Sequence, residues 1–132
     1  MNIVVDTSVI VAVVTNEKHK KQLVGITKGA DLIAPASVHW EVGNAFSAMF
    51  KRQRITLEQA IEAIQIYQLI PLRFSEVDLA TALKLSDKLK VYAYDAYVIG
   101  CALKHNSPLI SLDRSLLDAA QIAGAMIKEV RL

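Results

Sequence analysis

An α/β fold, with a mostly parallel central sheet flanked by helices in three layers, is what this sequence predicts, as one domain over residues 1–132. Two observations carry the expectation. Short β-branched or aliphatic runs alternate with segments of helical periodicity, and capping or turn residues separate them. No linker, repeat or low-complexity segment interrupts the alternation.

Asn2–Val5 (NIVV) reads as the first strand. Residues from Ser8 to about Lys28 read as helix with a break near Thr15–Asn16, although VIVAVV suits a strand equally by propensity. DLIAP is a short second strand ended by Pro35, after which Ser37 is placed to N-cap a helix carrying Val38, Val42, Ala45, Phe46 and Met49 on one face. Thr56 with Gln59 forms a capping box, and Leu57, Ala60, Ile61 and Ile64 supply the inward stripe of the next helix. PLRF is a third strand; Ser75 and Asp78 open a helix whose Leu79, Ala82, Leu83 and Leu89 face inward. Residues from about Tyr94 to His105 form a helix apolar nearly all round, and therefore deeply buried. PLISL, a short helix near Leu116–Ala123, a turn at Gly124 and a last strand at MIKEV complete the chain.

Composition narrows the classes of function. At 132 residues and 53% hydrophobic the chain can bury a real core and is not disordered. Its longest unbroken apolar run, Val9 to Val14, falls far short of the roughly 20 residues of a membrane span. No secretion signal is expected, since no basic segment precedes that run and Asp6 interrupts the start. The single cysteine, Cys101, excludes an internal disulfide framework or a multi-cysteine zinc site and fits a reduced, cytoplasmic protein. A net charge of +2 is too mild to announce a nucleic-acid binder. The KRQR cluster at Lys51–Arg54 serves either as the basic end of a helix or as a phosphate contact.

Four acids invite chemistry. Asp6 ends the first strand and Asp113 follows PLISL, so both lie beyond the carboxyl ends of strands, where open parallel sheets place their crevice. Glu41 interrupts the apolar SVHWEVGNAF, and Asp95 begins the most buried helix. Taken singly, Asp6 and Asp113 can be helix caps, Asp95 an acid favoured by a helix dipole, and Glu41 a rim residue or half of an ion pair. Taken together, carboxylates ~4 Å apart repel by roughly 4 kcal/mol per pair at an effective dielectric of 20. Such a cluster must hold protons or cations. An all-oxygen donor set suits Mg²⁺ or Mn²⁺, and such ions serve phosphate chemistry.

VVDTSV, Glu41 in the pattern E-x-x-N-A, YDAY and LISLD follow one another in the order and spacing of the PIN-domain nucleases. The chain resembles most the toxin ribonuclease of a VapBC-type toxin–antitoxin pair, and the resemblance spans essentially its whole length. It implies a PIN-like fold in which Asp6, Glu41, Asp95 and Asp113 are catalytic and hold Mg²⁺ or Mn²⁺. Ser8 and Ser111 would steady that site by hydrogen bonding, with Asn44 beside the pocket. It further implies hydrolysis of RNA phosphodiesters by an activated water, leaving 5′-phosphate and 3′-hydroxyl ends, and it implies a cognate antitoxin and a homodimer. One departure is that Arg114 and Ser115 follow Asp113 where many members carry a further acid or Asn; the next acid is Asp118, which is left out of the site.

Other residues are read conservatively. Trp40 is placed in the core beside Val38 and Val42, whereas Tyr92 and Tyr94 divide between groove and packing. Cys101 is inert, His19, His39 and His105 are surface or packing residues, and Arg114 either holds a phosphate or pairs with an acid. A dehalogenase-type phosphatase would need an acid at Ser8, and a phospho-receiver would need an aspartate after PLRF. The five glycines form neither a GxGxxG loop nor a P-loop. The alternative from another class is a catalytically silent PIN-like module that binds RNA or protein.

Overall fold

The structure, a computed structural model, describes residues 1–131. Five strands, β1 (Asn2–Val5), β2 (Asp31–Pro35), β3 (Leu72–Ser75), β4 (Leu109–Ile110) and β5 (Ile127–Lys128), pair in the order β3-β2-β1-β4-β5, each pair parallel. Helices α1 (Thr7–Val14), α2 (Lys20–Thr27), α3 (Val38–Lys51), α4 (Leu57–Leu69), α5 (Leu79–Leu89), α6 (Ala93–Lys104) and α7 (Arg114–Ile122) connect them. The predicted α/β class, the parallel sheet and the order of elements are all present. β4 and β5 are shorter than the runs PLISL and MIKEV suggested.

Two apolar cores flank the sheet. One gathers Ile3, Val5, Ile10, Val42, Phe46 and Tyr67; the other gathers Val4, Ile33, Ile99, Leu109 and Leu117. Adjacent residues of β1 thus feed opposite faces, as strand geometry requires. VIVAVV is helical: Asp6 caps it, and Val9, Ile10, Val11, Ala12 and Val14 are buried, so a segment apolar nearly all round is enclosed nearly all round. The helix stops where Thr15 bonds back to the Val11 carbonyl and Asn16 turns to φ 61°.

Helix rotation departs from expectation in several places. In α4 the capping box of Thr56 and Gln59 forms as read, but the inward line is Ala60, Ala63 and Tyr67, leaving Leu57 and Ile61 exposed. In α5 Ala82 is buried with Leu85 and Leu89 packed beside it, and Leu79 and Leu83 face out. Small residues let the backbones approach, so the larger neighbours on either side are turned outward. Asp78 caps α5 as read, whereas Ser75 belongs to β3, where its buried hydroxyl meets His105 Nε2 at 2.9 Å. Ser37 precedes α3 without capping it through its side chain. Trp40 is not core. Two positions after Val38 it lies some 200° round the helix, and it is 71% exposed.

Candidate active site

The strand order places the site. β2 and β4 leave β1 on opposite sides, so the carboxyl ends of β1 and β4 bound the point where the winding reverses and a crevice opens. Asp6 follows β1 and Asp113 follows β4, and the Asp6 amide meets the Ile110 carbonyl at 3.4 Å. The N-termini of four helices converge on the same edge. Asp6 caps α1 and Asp113 caps α7, accepting from Leu116 N at 3.2 Å, while Glu41 and Asp95 occupy the first turns of α3 and α6. The capping reading therefore holds for Asp6 and Asp113, and the positive helix ends make this edge hospitable to all four acids.

Around Asp6 the polar groups are tightly knit. Ser8 Oγ donates to Oδ1 at 2.7 Å, Ser111 Oγ donates to Oδ2 at 2.8 Å, and Val9 N reaches Oδ1 at 3.4 Å. The two serines are themselves fixed, Ser8 Oγ by Leu112 N at 3.0 Å and Ser111 Oγ by Asp113 N at 2.9 Å. Ser8 and Ser111, expected to steady the site, thus lock β1, β4 and the Asp6 carboxylate into one network. Ser37 Oγ donates to Glu41 Oε2 at 3.1 Å, so a residue read as a cap serves the acid one turn on.

A cavity of about 20 Å³, room for about one water-sized particle, is lined by Asp6, Thr7, Glu41, Tyr94 and Asp95 over a floor that includes Pro35 and Val38. Thr7 Oγ1 is buried there without a hydrogen-bond partner. It lies close enough to Glu41 to ease its charge, but outside hydrogen-bonding geometry. Asp113 is exposed and stands outside the lining, near enough to act on Asp6 and Asp95 through its charge. Asn44 is exposed, and among the described residues its side chain bonds to none of the acids. Thr7 and Ser37 were passed over in the sequence. Thr7 lay in plain view between Asp6 and Ser8, and the i, i+4 spacing of Ser37 and Glu41 was the available signal.

Electrostatics single out the cavity. Burial pushes the Asp6 carboxyl up to about 6 against the pull of Ser8, Ser111 and Val9, with the Asp113 charge adding to the rise. Burial pushes Glu41 up to about 7, and Asp6 and Asp95 raise it further, while Ser37 and Thr7 oppose. Asp95 is also raised, by burial first and then by Asp113. The mutual influences tie all four acids into one cluster.

The residues fit a divalent cation by chemistry. The donors are all oxygen, two of the carboxyls carry a desolvated charge, and a buried hydroxyl has a free lone pair. Among the described residues no three Asp, Glu, His or Cys side chains stand close enough to enclose an ion as they are, so side chains must shift as one enters. Asp118 does not belong to the cluster. It pairs with Arg114 Nε at 3.0 Å, and Arg114 also reaches Glu129 at 3.3 Å, so Arg114 is engaged by acids. Burial pushes the Cys101 thiol up to about 11, consistent with an inert residue. A much larger cleft of about 440 Å³ lies between α5 and α6, but its lining of Ala82, Leu85, Ala96 and Gly100 is largely apolar and holds none of the four acids.

The PIN domain family matches residues 3–122 of the sequence. No curated protein matches it. Among solved structures, PAE2754 from Pyrobaculum aerophilum superposes with a TM-score of 0.73 at 20% identity, covering 96% of this chain and 83% of that one. VapBC2 from Rickettsia felis, crystallised bound to a DNA fragment from its promoter, gives a TM-score of 0.67 at 14% identity over 97% of this chain and 98% of that one. VapC20 from Mycobacterium tuberculosis, a sarcin-ricin loop cleaving toxin, gives a TM-score of 0.66 at 18% identity over 98% and 99%. At these identities the likeness is one of fold.

Proposed function

This chain belongs to the PIN-domain family, and from that premise we propose that it is a metal-dependent endoribonuclease, the toxin of a type II toxin–antitoxin pair. The observation that supports the reading best is the convergence of Asp6, Glu41 and Asp95 on one cavity at the sheet's switch point, with Asp113 at its rim. Structures of the same fold include a sarcin-ricin loop cleaving toxin and VapBC2, and these support a cognate antitoxin as the partner. The exposed Leu57, Ile61, Ile66 and Leu69 of α4 and Leu79 and Leu83 of α5 offer apolar surface to such a partner or to a second copy in a homodimer. Among the described residues no helix is long and apolar enough to cross a membrane, and the reading places the protein in the cytoplasm.

Asp6, Glu41, Asp95 and Asp113 are the residues that would hold Mg²⁺ or Mn²⁺. When bound, such an ion neutralises the phosphate, lowers the pKa of a water and steadies the leaving oxygen. The chain's own contribution is positional. Ser8 and Ser111 fix the Asp6 oxygens, Ser37 fixes Glu41, and the apolar floor of Pro35, Val38, Val98 and Leu116 limits water. Among the described residues no histidine lines the cavity, so proton transfer falls to the carboxylates and solvent.

Purified chain freed of any bound partner is expected to cut a structured RNA in Mg²⁺ or Mn²⁺, to stop in EDTA, and to leave 5′-phosphate ends. No cleavage of any of several RNAs by folded protein would favour the silent binding module instead.

A further inference from the structure

Tryptophan and tyrosine join an apolar ring to a polar group, which suits them to a binding surface that is half wet. Here three stand exposed within three residues of an acid in the sequence: Trp40 at 71%, Tyr92 at 87% and Tyr94 at 54%. Each of the two acids carried inside a helix is directly preceded by one of them, Glu41 by Trp40 and Asp95 by Tyr94. Tyr94 lines the acid cavity itself. Trp40 lies about 100° round α3 from Glu41 on the side away from the core, with Ser37 and Asn44 between them on the helix surface.

Both rings are braced. His39 meets Trp40 edge to face, with centroids 5.0 Å apart at 81°, and His39 is in turn held by the Tyr67 hydroxyl at 3.3 Å. Tyr97, half-buried at the edge of the α5–α6 cleft, meets Tyr94 in the same way at 5.7 Å and 88°. Edge-on bracing fixes a ring's orientation while leaving a flat face open, which is how a stacking platform is prepared in advance.

We propose that Trp40 and Tyr94 are substrate-binding residues that stack unpaired RNA bases next to the scissile phosphate. The proposal rests on the nuclease reading in taking RNA as the occupant. Carboxylates around the cavity repel the phosphate backbone, so binding that does not depend on metal must come from elsewhere, and every base has a π-face to offer. Trp40 and Tyr94 directly precede acids in the sequence, whereas six of the exposed aliphatic residues lie on α4 and α5, where a protein partner is better served. Bases within a duplex are already stacked and cannot lie on these rings.

Trp40 is the only tryptophan in the chain, so intrinsic fluorescence reports on it alone. The test is binding in EDTA, where cleavage is off. A short oligoadenylate or oligouridylate is expected to quench Trp40 emission, and an RNA duplex of equal length is not. By anisotropy of a labelled oligomer, Trp40→Ala and Tyr94→Ala each weaken binding about tenfold, while Trp40→Phe stays within about threefold. Unchanged emission at saturating RNA, equal quenching by duplex, or full affinity in Trp40→Ala would overturn the proposal. Metal-dependent cleavage that persists alongside any of these would leave the nuclease reading standing. Because Trp40 packs into no core, its substitution tests stacking rather than folding.

Discussion

On the proposed nuclease reading, Asp6→Asn is expected to abolish metal-dependent cleavage, by at least about a hundredfold, and yet to raise the melting temperature of the chelated protein at neutral pH by several degrees. The loss follows from the place of Asp6 at the centre of the cluster, its two oxygens fixed by Ser8 and Ser111. The gain follows from burial. Holding this carboxyl ionised when burial has moved it from 3.8 to about 6 costs about 3 kcal/mol at pH 7.5. An asparagine of the same shape keeps an acceptor for Ser8 and sheds the charge. Activity assays and thermal melts in EDTA check both halves; a variant that melts lower than the parent would mean that the hydrogen-bond network, not the charge, dominates the site's energetics.

The same burial makes stability fall as pH rises. Asp6 and Glu41 both have folded pKa values above their ordinary ones, about 6 against 3.8 and about 7 against 4.5. Between these limits the folded state binds more protons than the unfolded chain, so the stabilisation is complete below about pH 4 and lost by about pH 7. The Asp78 cap, whose pKa is lowered, loses its contribution only as the pH drops below 4, outside that window. In EDTA the urea midpoint is therefore higher at pH 5 than at pH 7.5. Saturating Mn²⁺ narrows the difference, since at a hundredfold excess over Kd it adds about 2.7 kcal/mol where the carboxylates are ionised. A chelated protein more stable at pH 7.5 than at pH 5 would contradict the desolvation account.

Much of this was legible from residues alone. The strands announced themselves through short β-branched runs, and the acids through their places after β1 and β4 and inside apolar helices. Parallel topology then brought residues 107 positions apart to one edge. Rotation of the helices was not legible. α4 and α5 carry aliphatic residues on both flanks of an alanine line, and only the close packing of backbones chooses the small residues for the interior. Trp40 was misplaced for a related reason, because its neighbours Val38 and Val42 are core while its own angle on the helix is not. Thr7 escaped because a hydroxyl without a hydrogen-bond partner can be recognised only once its surroundings are known.

On the proposed reading, four acids from four helix N-termini form one cation site. Mn²⁺ binding to the metal-free protein, followed by electron paramagnetic resonance and calorimetry at pH 7.5, tests it most directly. Specific binding is expected in the parent, lost or weakened at least tenfold in Asp6→Asn, Glu41→Gln and Asp95→Asn alike, and left intact in Asp118→Asn, whose carboxylate is committed to Arg114. Binding indifferent to the first three substitutions, or lost in the fourth alone, would contradict it.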